Sequence, residues 1–431
     1  MHSAPPDERL FPAAGAGTGP AAAPAPNGED VPEGSRRITA GLLVVLGLLS
    51  AIAPFATDLY LPAFPLMTTA LDTSATWVQL TLTAFLTGVA AGQLVFGPLS
   101  DRVGRMPPLV AGAVLCVAAS VVAALAPTVE VLVAARFVQG LAGAAGMVIG
   151  RAIVSDLATG RAAARAFSLM MIVGGIAPVV APVVGSLLMG PLGWRGLLGV
   201  VLALTVVMLV AVLAVVRETL PRGRRTARAA RAGAGRGGLR SRTFWGSTVA
   251  FTFAFAVMMA YISASPFLYQ QMMGLGAVQY GLLFGLNALA LGVVSGVSGR
   301  LTATRSVPGL LRAGLVTVLV ATVALAVLVA AGVPAGWYAV PIFVAVAALG
   351  LVMGNATALA LGAVPHAAGT ASALLGAAQF ALAGAVSPLV SVGGEGTAAP
   401  LAAVMVTAAL IALAGHLLSG AGRGDDAAAR A

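Results

Sequence analysis

Charged side chains standing inside apolar runs are the residues of this sequence best placed to do chemistry. Asp58 lies near the end of the first such run and Arg136 near the start of the fourth. A charge inside a membrane costs roughly 2.5–3.5 kcal/mol on insertion scales, so each needs a purpose. At 1.5 Å per residue, Asp58 is about 30 Å along its run and Arg136 about 9 Å below the surface at which its run begins. Both depths fall in the same half of one bundle and could face one cavity. A low-dielectric cavity favours the neutral form of a carboxyl, and a nearby cation favours the charged form. A carboxyl balanced between the two can load and release a proton near neutral pH. The bland alternative for Asp58 is an interfacial cap, since Tyr60-Leu61-Pro62 follows at once.

Three further patterns stand beside this pair. Gly97-Pro98-Leu99-Ser100-Asp101-Arg102-Val103-Gly104-Arg105 is a short basic turn between two long apolar runs, with Arg151 and Asp156 near the inner end of the fourth run. Gly174-Gly175-Ile176-Ala177-Pro178, then Ala181-Pro182 and Gly185, put two prolines on one face of the fifth run. Each proline removes a backbone donor and bends the helix, and the small residues admit a close neighbour. The seventh run is aromatic, with Phe251, Phe255, Met258, Ile262 and Tyr269 on one stripe and Tyr261 close by. Aromatic and methionine surfaces suit lipophilic ligands of variable shape, and they suit lipid-facing packing nearly as well. Tyr60, Gln139, Phe255, Met258, Tyr261, Asn287 and Asn355 are the candidate substrate contacts.

The elements that must position these residues are legible from composition. The 431 residues are 59% hydrophobic and 9% charged, against about a quarter charged in soluble domains. Twelve apolar runs lie near 38–60, 76–98, 108–127, 130–154, 164–188, 194–216, 244–270, 280–300, 309–331, 336–358, 366–391 and 398–420. About 20 apolar residues cross a hydrocarbon core, and runs of this length holding Gly and Pro are helices rather than barrel strands. The expected organisation is a disordered tail over 1–35, a six-helix bundle over 36–216, an Arg-rich linker over 217–243, a second six-helix bundle over 244–420 and a tail over 421–431. The first apolar run starts too late for residues 1–35 to form a signal peptide.

Charge sets orientation and excludes several functions. All 24 basic residues are arginine. With no lysine there is no P-loop motor in this chain and no Schiff base. Nine arginines crowd into Arg217–Arg242, and the other inter-run arginines alternate so that one side holds Arg195 alone. By the positive-inside rule both termini and the linker are cytoplasmic and the chain is a multi-pass protein of the cytoplasmic (inner) membrane. The net charge of +10 is therefore topological, with anionic lipid as a second role and nucleic acid excluded as a partner. Cys116 stands alone, and His2, His366 and His416 are too scattered for a metal site, so no metal or cofactor is expected. Gly296-Val297-Ser298-Gly299 has the shape of an intramembrane protease motif but lacks partners, and no enzyme is expected.

Four motifs give the chain a resemblance. Pro54-Phe55-Ala56-Thr57-Asp58-Leu59-Tyr60-Leu61-Pro62, the Gly97–Arg105 turn, Leu132 with Arg136, Gln139-Gly140 and Gly143, and Ala181-Pro182 with Gly185 carry it. Gly193-Trp194-Arg195, Arg217-Glu218-Thr219-Leu220 and Gly369-Thr370-Ala371-Ser372-Ala373-Leu374 extend it. Over about Ile38–Leu418 the chain resembles the major facilitator superfamily, specifically the twelve-helix drug:proton antiporters of the bicyclomycin/chloramphenicol-resistance subfamily. The resemblance implies an all-α polytopic membrane protein, two six-helix bundles rocking about a central cavity. It implies that Asp58 carries the proton and competes with substrate, and that Arg136 tunes that carboxyl. Pro178, Pro182 and Gly185 would form the antiporter motif. Gly97, Asp101, Arg102, Gly104, Arg105 and Asp156 would form a cytoplasmic gate, with Asp101 binding the start of the eleventh helix near Gly369-Thr370-Ala371 to latch an outward-open state. Met106-Pro107 replaces a basic residue, and the second copy, Ser298–Arg305, lacks the acid. The expected function is proton-driven export of drugs or other amphipathic small molecules by a monomer, with small-molecule substrate, protons and lipid as partners and no nucleotide. The alternative is a carrier of one metabolite, such as a sugar, amino acid or self-made antibiotic, on the same fold.

Overall fold

The structure is a computed structural model that describes residues 39–158, 160–220, 241–364, 368–392, 394 and 396–420. The expected tails over 1–35 and 421–431, and most of the linker, lie outside the described residues. Within them the chain is helical: α1 Ala40–Asp58, α2 Phe64–Ala70, α3 Ala75–Val103, α4 Met106–Ala124, α5 Val129–Leu157, α6 Gly160–Val215, α7 Arg242–Pro266, α8 Ala277–Leu301, α9 Val307–Ala330, α10 Ala339–Gly362, α11 Ala368–Val386 and α12 Ala399–Leu418. Hydroxyl residues cap four of them: Thr39, Ser74, Ser241 and Ser306 accept from backbone N–H groups three residues on.

Eleven stretches among the described residues are long and apolar enough to cross a membrane. One of them, Ile176–Val215, has 40 residues, about 60 Å of helix and twice a hydrocarbon core. Gly193, at φ 64 and ψ −178, breaks it inside α6. α6 therefore crosses twice, which reconciles eleven stretches with twelve expected runs. The Gly97–Arg105 segment corrects one expectation. Rather than a loop, Gly97 to Val103 continue α3, and the reversal is confined to Gly104, at φ 104, and Arg105. Only a residue without Cβ takes that left-handed conformation at low cost.

Close approach, rather than shape alone, builds each half. A methyl on Gly88 or Gly92 of α3 would collide with the α5 backbone at Phe137 and Leu141, and one on Gly140 of α5 with the Phe85 carbonyl of α3. In the second half, Gly350 of α10 lies against the α8 backbone and Gly246 of α7 against α12. Lipid removes the hydrophobic drive for helix association, so such contacts carry the packing.

The two halves meet along α3 with α11 and α6 with α8. Among the described residues three hydrogen bonds join them. Gln79 Nε2 donates to the Ser263 carbonyl at 3.0 Å, Ser391 Oγ donates to Gln79 Oε1, and Gln270 Nε2 donates to the Pro62 carbonyl at 3.0 Å. The Phe64 and Phe267 rings meet beside them, 6.2 Å apart. All lie at the end of the bundles opposite the linker, called here the far end; the end that bears Arg105 and Glu218 is the linker end.

Candidate functional site

Asp58 is the last residue of α1, at the far end, and is 4% exposed. Pro54 lies one turn before it, and the Thr57 hydroxyl donates to Asp58 Oδ1 at 2.8 Å. The same hydroxyl lies 3.1 Å from the Ala53 and Pro54 carbonyls. It has one proton for three acceptors, so the carboxyl competes for it.

Arg136, from α5, is fully buried and reaches the same region. Its Nη2 donates to the Ala56 carbonyl at 2.7 Å, two residues before Asp58, and its Nη1 donates to Gln139 Oε1. Its guanidinium lies between two rings, 4.6 Å from the centre of Tyr60 and 4.4 Å from that of Phe85. Desolvated cation–π contacts of this kind contribute about 2 kcal/mol. Among the described residues the Nε has no partner and no carboxylate lies within 4.0 Å of Arg136. Its charge thus rests on dipoles and aromatic faces. Asp58 and Arg136 form no ion pair among the described residues; the guanidinium is taken up by the Ala56 carbonyl and the Tyr60 ring on either side of Asp58 in sequence.

The sequence candidates separate into three groups. Tyr60 belongs with Arg136, and its hydroxyl shares a 2.9 Å hydrogen bond with Thr81. Gln139 belongs there too, but its Nε2 donates to Ser120 Oγ at 2.6 Å, inside the first bundle. Tyr261 and Asn287 form a second group: Asn287 Nδ2 donates to the hydroxyls of Tyr261 at 2.7 Å and Tyr269 at 3.3 Å. Phe284 stacks on Tyr261 at 5.5 Å, and Tyr280 hydrogen-bonds Ser265 at 3.3 Å. Phe255 meets Phe380 of α11 edge-on at 5.8 Å, with Met258 partly buried nearby on α7. Asn355 stands apart, donating to Ser298 Oγ at 2.9 Å and so tying α10 to α8. That bond also gives the Gly296–Gly299 serine a structural partner.

The motif Pro178, Pro182 and Gly185, carried by α6, joins the first two groups. A methyl on Gly185 would collide with the Leu59 carbonyl, immediately after Asp58. One turn earlier, the Pro182 carbonyl accepts from Ser186 Oγ at 2.7 Å, and both lie against Gly281 of α8. Val183 lies against Gly285. Pro178 is one turn further down, and this stretch of α6 forms part of the contact between the bundles. The turn that follows Asp58, Leu61–Ala63, touches both α7 and α8, and the Pro62 carbonyl accepts from Gln270 of the second half. The carboxyl therefore stands where the two halves meet.

At the linker end, Arg105 is 1% exposed and, from the start of α4, ties α3 to α5. Nη1 donates to Ser100 Oγ at 2.7 Å and Asp101 Oδ1 at 2.8 Å; Nε and Nη2 donate to Asp156 at 2.8 and 3.4 Å. Burial alone would pull the guanidinium pKa down, but Asp156 and then Asp101 outweigh it and hold it above its ordinary value. A cation raised in this way keeps its stabilising effect at every pH below its own unfolded value. Arg102 is exposed, and the anticipated contact of Asp101 with residues 369–370 falls on side chains outside the described set.

Glu218, which in the sequence only extends the family resemblance, has a structural role at the start of α4. α4 opens Met106-Pro107-Pro108, and the prolines have no N–H to offer. The two donors left at that terminus, Arg105 N and Met106 N, bond the Glu218 carboxylate at 2.9 and 3.1 Å. The Leu220 N–H bonds it too, at 2.8 Å, and Thr219 Oγ1 donates to Asp156 at 3.2 Å. The available signal was an acid just past one apolar run and a double-proline start to another.

Comparisons with known proteins agree with this architecture. The family model of the Major Facilitator Superfamily matches residues 46–388. An uncharacterized MFS-type transporter, YdgK of Bacillus subtilis (strain 168), is 36% identical over 384 residues, covering 88% of this chain and 95% of the relative. A bicyclomycin resistance protein homolog of Haemophilus influenzae is 29% identical over 86% of this chain and 94% of its own length. A chloramphenicol resistance protein of Pseudomonas aeruginosa is 30% identical over 87% and 89%. Among solved structures, a bacterial homologue of the human lysosomal transporter Spinster, inward-facing and unoccupied, superposes with a TM-score of 0.70 at 17% identity, covering 89% of this chain and 97% of that one. The chain belongs to the Major Facilitator Superfamily: it is a multi-pass membrane transporter and not an enzyme.

Proposed function

From that membership, we propose that the protein exports drugs or other amphipathic small molecules across the cytoplasmic membrane in exchange for protons. The observation that carries the reading is Asp58, a buried carboxyl at the junction of both bundles whose described partner is a hydroxyl rather than a cation. A lone carboxylate is expensive inside a membrane. It is neutralised either by a proton or by a polar or cationic group of a substrate, and mutual exclusion of the two is what exchange requires. Arg136 acts indirectly. By holding the Ala56 carbonyl and the Tyr60 ring it fixes the turn that presents the carboxyl. In this reading the arginine asymmetry makes the linker end the cytoplasmic one. The resistance proteins among the relatives support drugs as the substrate class.

A second reading, transport of one dedicated metabolite, is favoured by the Tyr261–Asn287–Tyr269 set. Fixed polar tips discriminate sharply among hydrogen-bonding ligands. The experiment that separates the readings uses inverted vesicles with an acid interior and a panel of uncharged and cationic amphipathic drugs. Drug-triggered proton efflux is the expected result. Silence across the panel from correctly inserted protein would overturn the drug reading in favour of the narrow one.

A further inference from the structure

One cation inside the spans has no part in either site described above. Arg151 is on α5, about 22 Å along the helix from Arg136 and about 9 Å before its linker end. It is half-buried. Its Nε donates to the Met147 carbonyl at 3.1 Å, the one hydrogen bond of its side chain among the described residues. No carboxylate among them lies within 4.0 Å of it. An arginine near a helix end ordinarily extends to the nearer water interface. This one lies back along α5 against the preceding turn, and so keeps its charge within the span.

The neighbours of α5 show which way the side chain faces. Ala144 and Val148 meet Gly92 and Gly97 of α3, Ala145 meets Gly112 of α4, and Gly146 and Gly150 meet Leu49 and Leu46 of α1. At about 100° per residue, Met147 and Arg151 fall between the α1 and α3 sides. That sector is the inner one. α4 covers α5 and α6 from behind, and α3 and α6 carry the seams to the second half, so α5 and α1 are the helices left between the seams. Arg151 therefore presents its guanidinium to the space between the halves. Asp58 and Arg136 stand too far along that space to share one small ligand with it.

We propose that Arg151 is a substrate-selecting residue in the linker half of the transport path, where it takes the carboxylate of an amphipathic organic acid or zwitterion. Its Nη1 and Nη2 donors form a planar fork that matches the two oxygens of a carboxylate. Met147, one turn away and partly buried, suits the lipophilic remainder of such a molecule. The inference deepens the function proposed above by naming a substrate class. It rests on transport of amphipathic small molecules and not on proton coupling. A lipid headgroup offers the same anionic oxygens, and the test includes an arm for it.

The test is equilibrium binding to the full-length protein in phosphatidylcholine nanodiscs, read by titration calorimetry. The probes are 1-naphthoate and its uncharged twin, 1-naphthamide. Naphthoate is expected to bind about 10- to 100-fold tighter, as charge-assisted hydrogen bonds to a fixed guanidinium imply. Arg151→Gln is expected to abolish that preference and leave naphthamide binding unchanged, a split that a merely structural role would not give. Arg151→Lys keeps the charge but loses the fork; it is expected to retain only part of the preference, and stands in if Arg151→Gln does not fold. Equal affinities in the wild type, or a preference undiminished in either variant, overturns the proposal. So does a preference erased when phosphatidylglycerol replaces part of the phosphatidylcholine, because the site then belongs to a lipid headgroup. Binding is read without a pH gradient, so the two readings fail separately. Lost proton coupling with the preference intact counts against antiport, and a lost preference with coupling intact counts against this assignment.

Discussion

Asp156→Asn should loosen the α3–α4 turn far more than Asp101→Asn, although both remove one carboxylate from Arg105. The side chain of Asp156 is 4% exposed and that of Asp101 is 38% exposed. Asp156 accepts from Arg105 at 2.8 and 3.4 Å and from Thr219 at 3.2 Å. Hydrogen bonds to buried charged groups contribute about 1.5–3 kcal/mol each. Arg105 keeps Asp101 and Ser100, so the net loss for Asp156→Asn comes to about 2–3 kcal/mol. The exposed Asp101 pair is screened and worth about 0.2–1 kcal/mol. At 1.36 kcal/mol per tenfold, amide exchange of Gly104, Arg105 and Met106 should quicken roughly 30- to 150-fold in Asp156→Asn and less than about fivefold in Asp101→Asn. Hydrogen–deuterium exchange of the protein in nanodiscs reads both. Equal effects, or the larger one in Asp101→Asn, would refute the argument from burial.

Three other substitutions probe separate joints. Glu218→Ala strips the acceptor from the two backbone donors that open α4 and should destabilise that helix start by about 1–2 kcal/mol, read as faster exchange at Met106. Gly185→Val drives a side chain into the Leu59 carbonyl and should lower the thermal unfolding midpoint, at a cost of about 1–3 kcal/mol; an unchanged midpoint would contradict the close approach. Asn287→Leu leaves the Tyr261 and Tyr269 hydroxyls without their donor, costing about 1–2 kcal/mol. It should alter which substrates are carried while proton movement with the remaining ones persists, as a substrate panel would show.

The spans were legible because their signals are local: long apolar runs, arginine placement and Ser or Thr at helix starts need no knowledge of neighbours. Gly185 was legible as a close-packing residue for the same reason, and its contact with Leu59 now shows against what. Depth along a helix was also legible, and it brought Arg136 to the neighbourhood of Asp58. Azimuth was not. The Tyr60 and Phe85 rings and the Ala56 carbonyl take up the guanidinium, and only tertiary packing decides that. The role of Glu218 is not legible in the sequence because its partners are backbone N–H groups more than a hundred positions away, left over by two prolines. The mutual hydrogen bond of Tyr261 and Asn287 is not legible in the sequence either, because only packing brings a phenol of α7 to an amide of α8.

The central claim is that Asp58 carries the proton exchanged for substrate. Asp58→Asn keeps the size and the Thr57 contact but cannot release a proton. In inverted vesicles, this variant should still equilibrate a labelled substrate across the membrane down its own gradient while triggering no proton efflux. Proton efflux that persists in Asp58→Asn at the wild-type ratio to substrate would contradict the account and move the coupling site elsewhere.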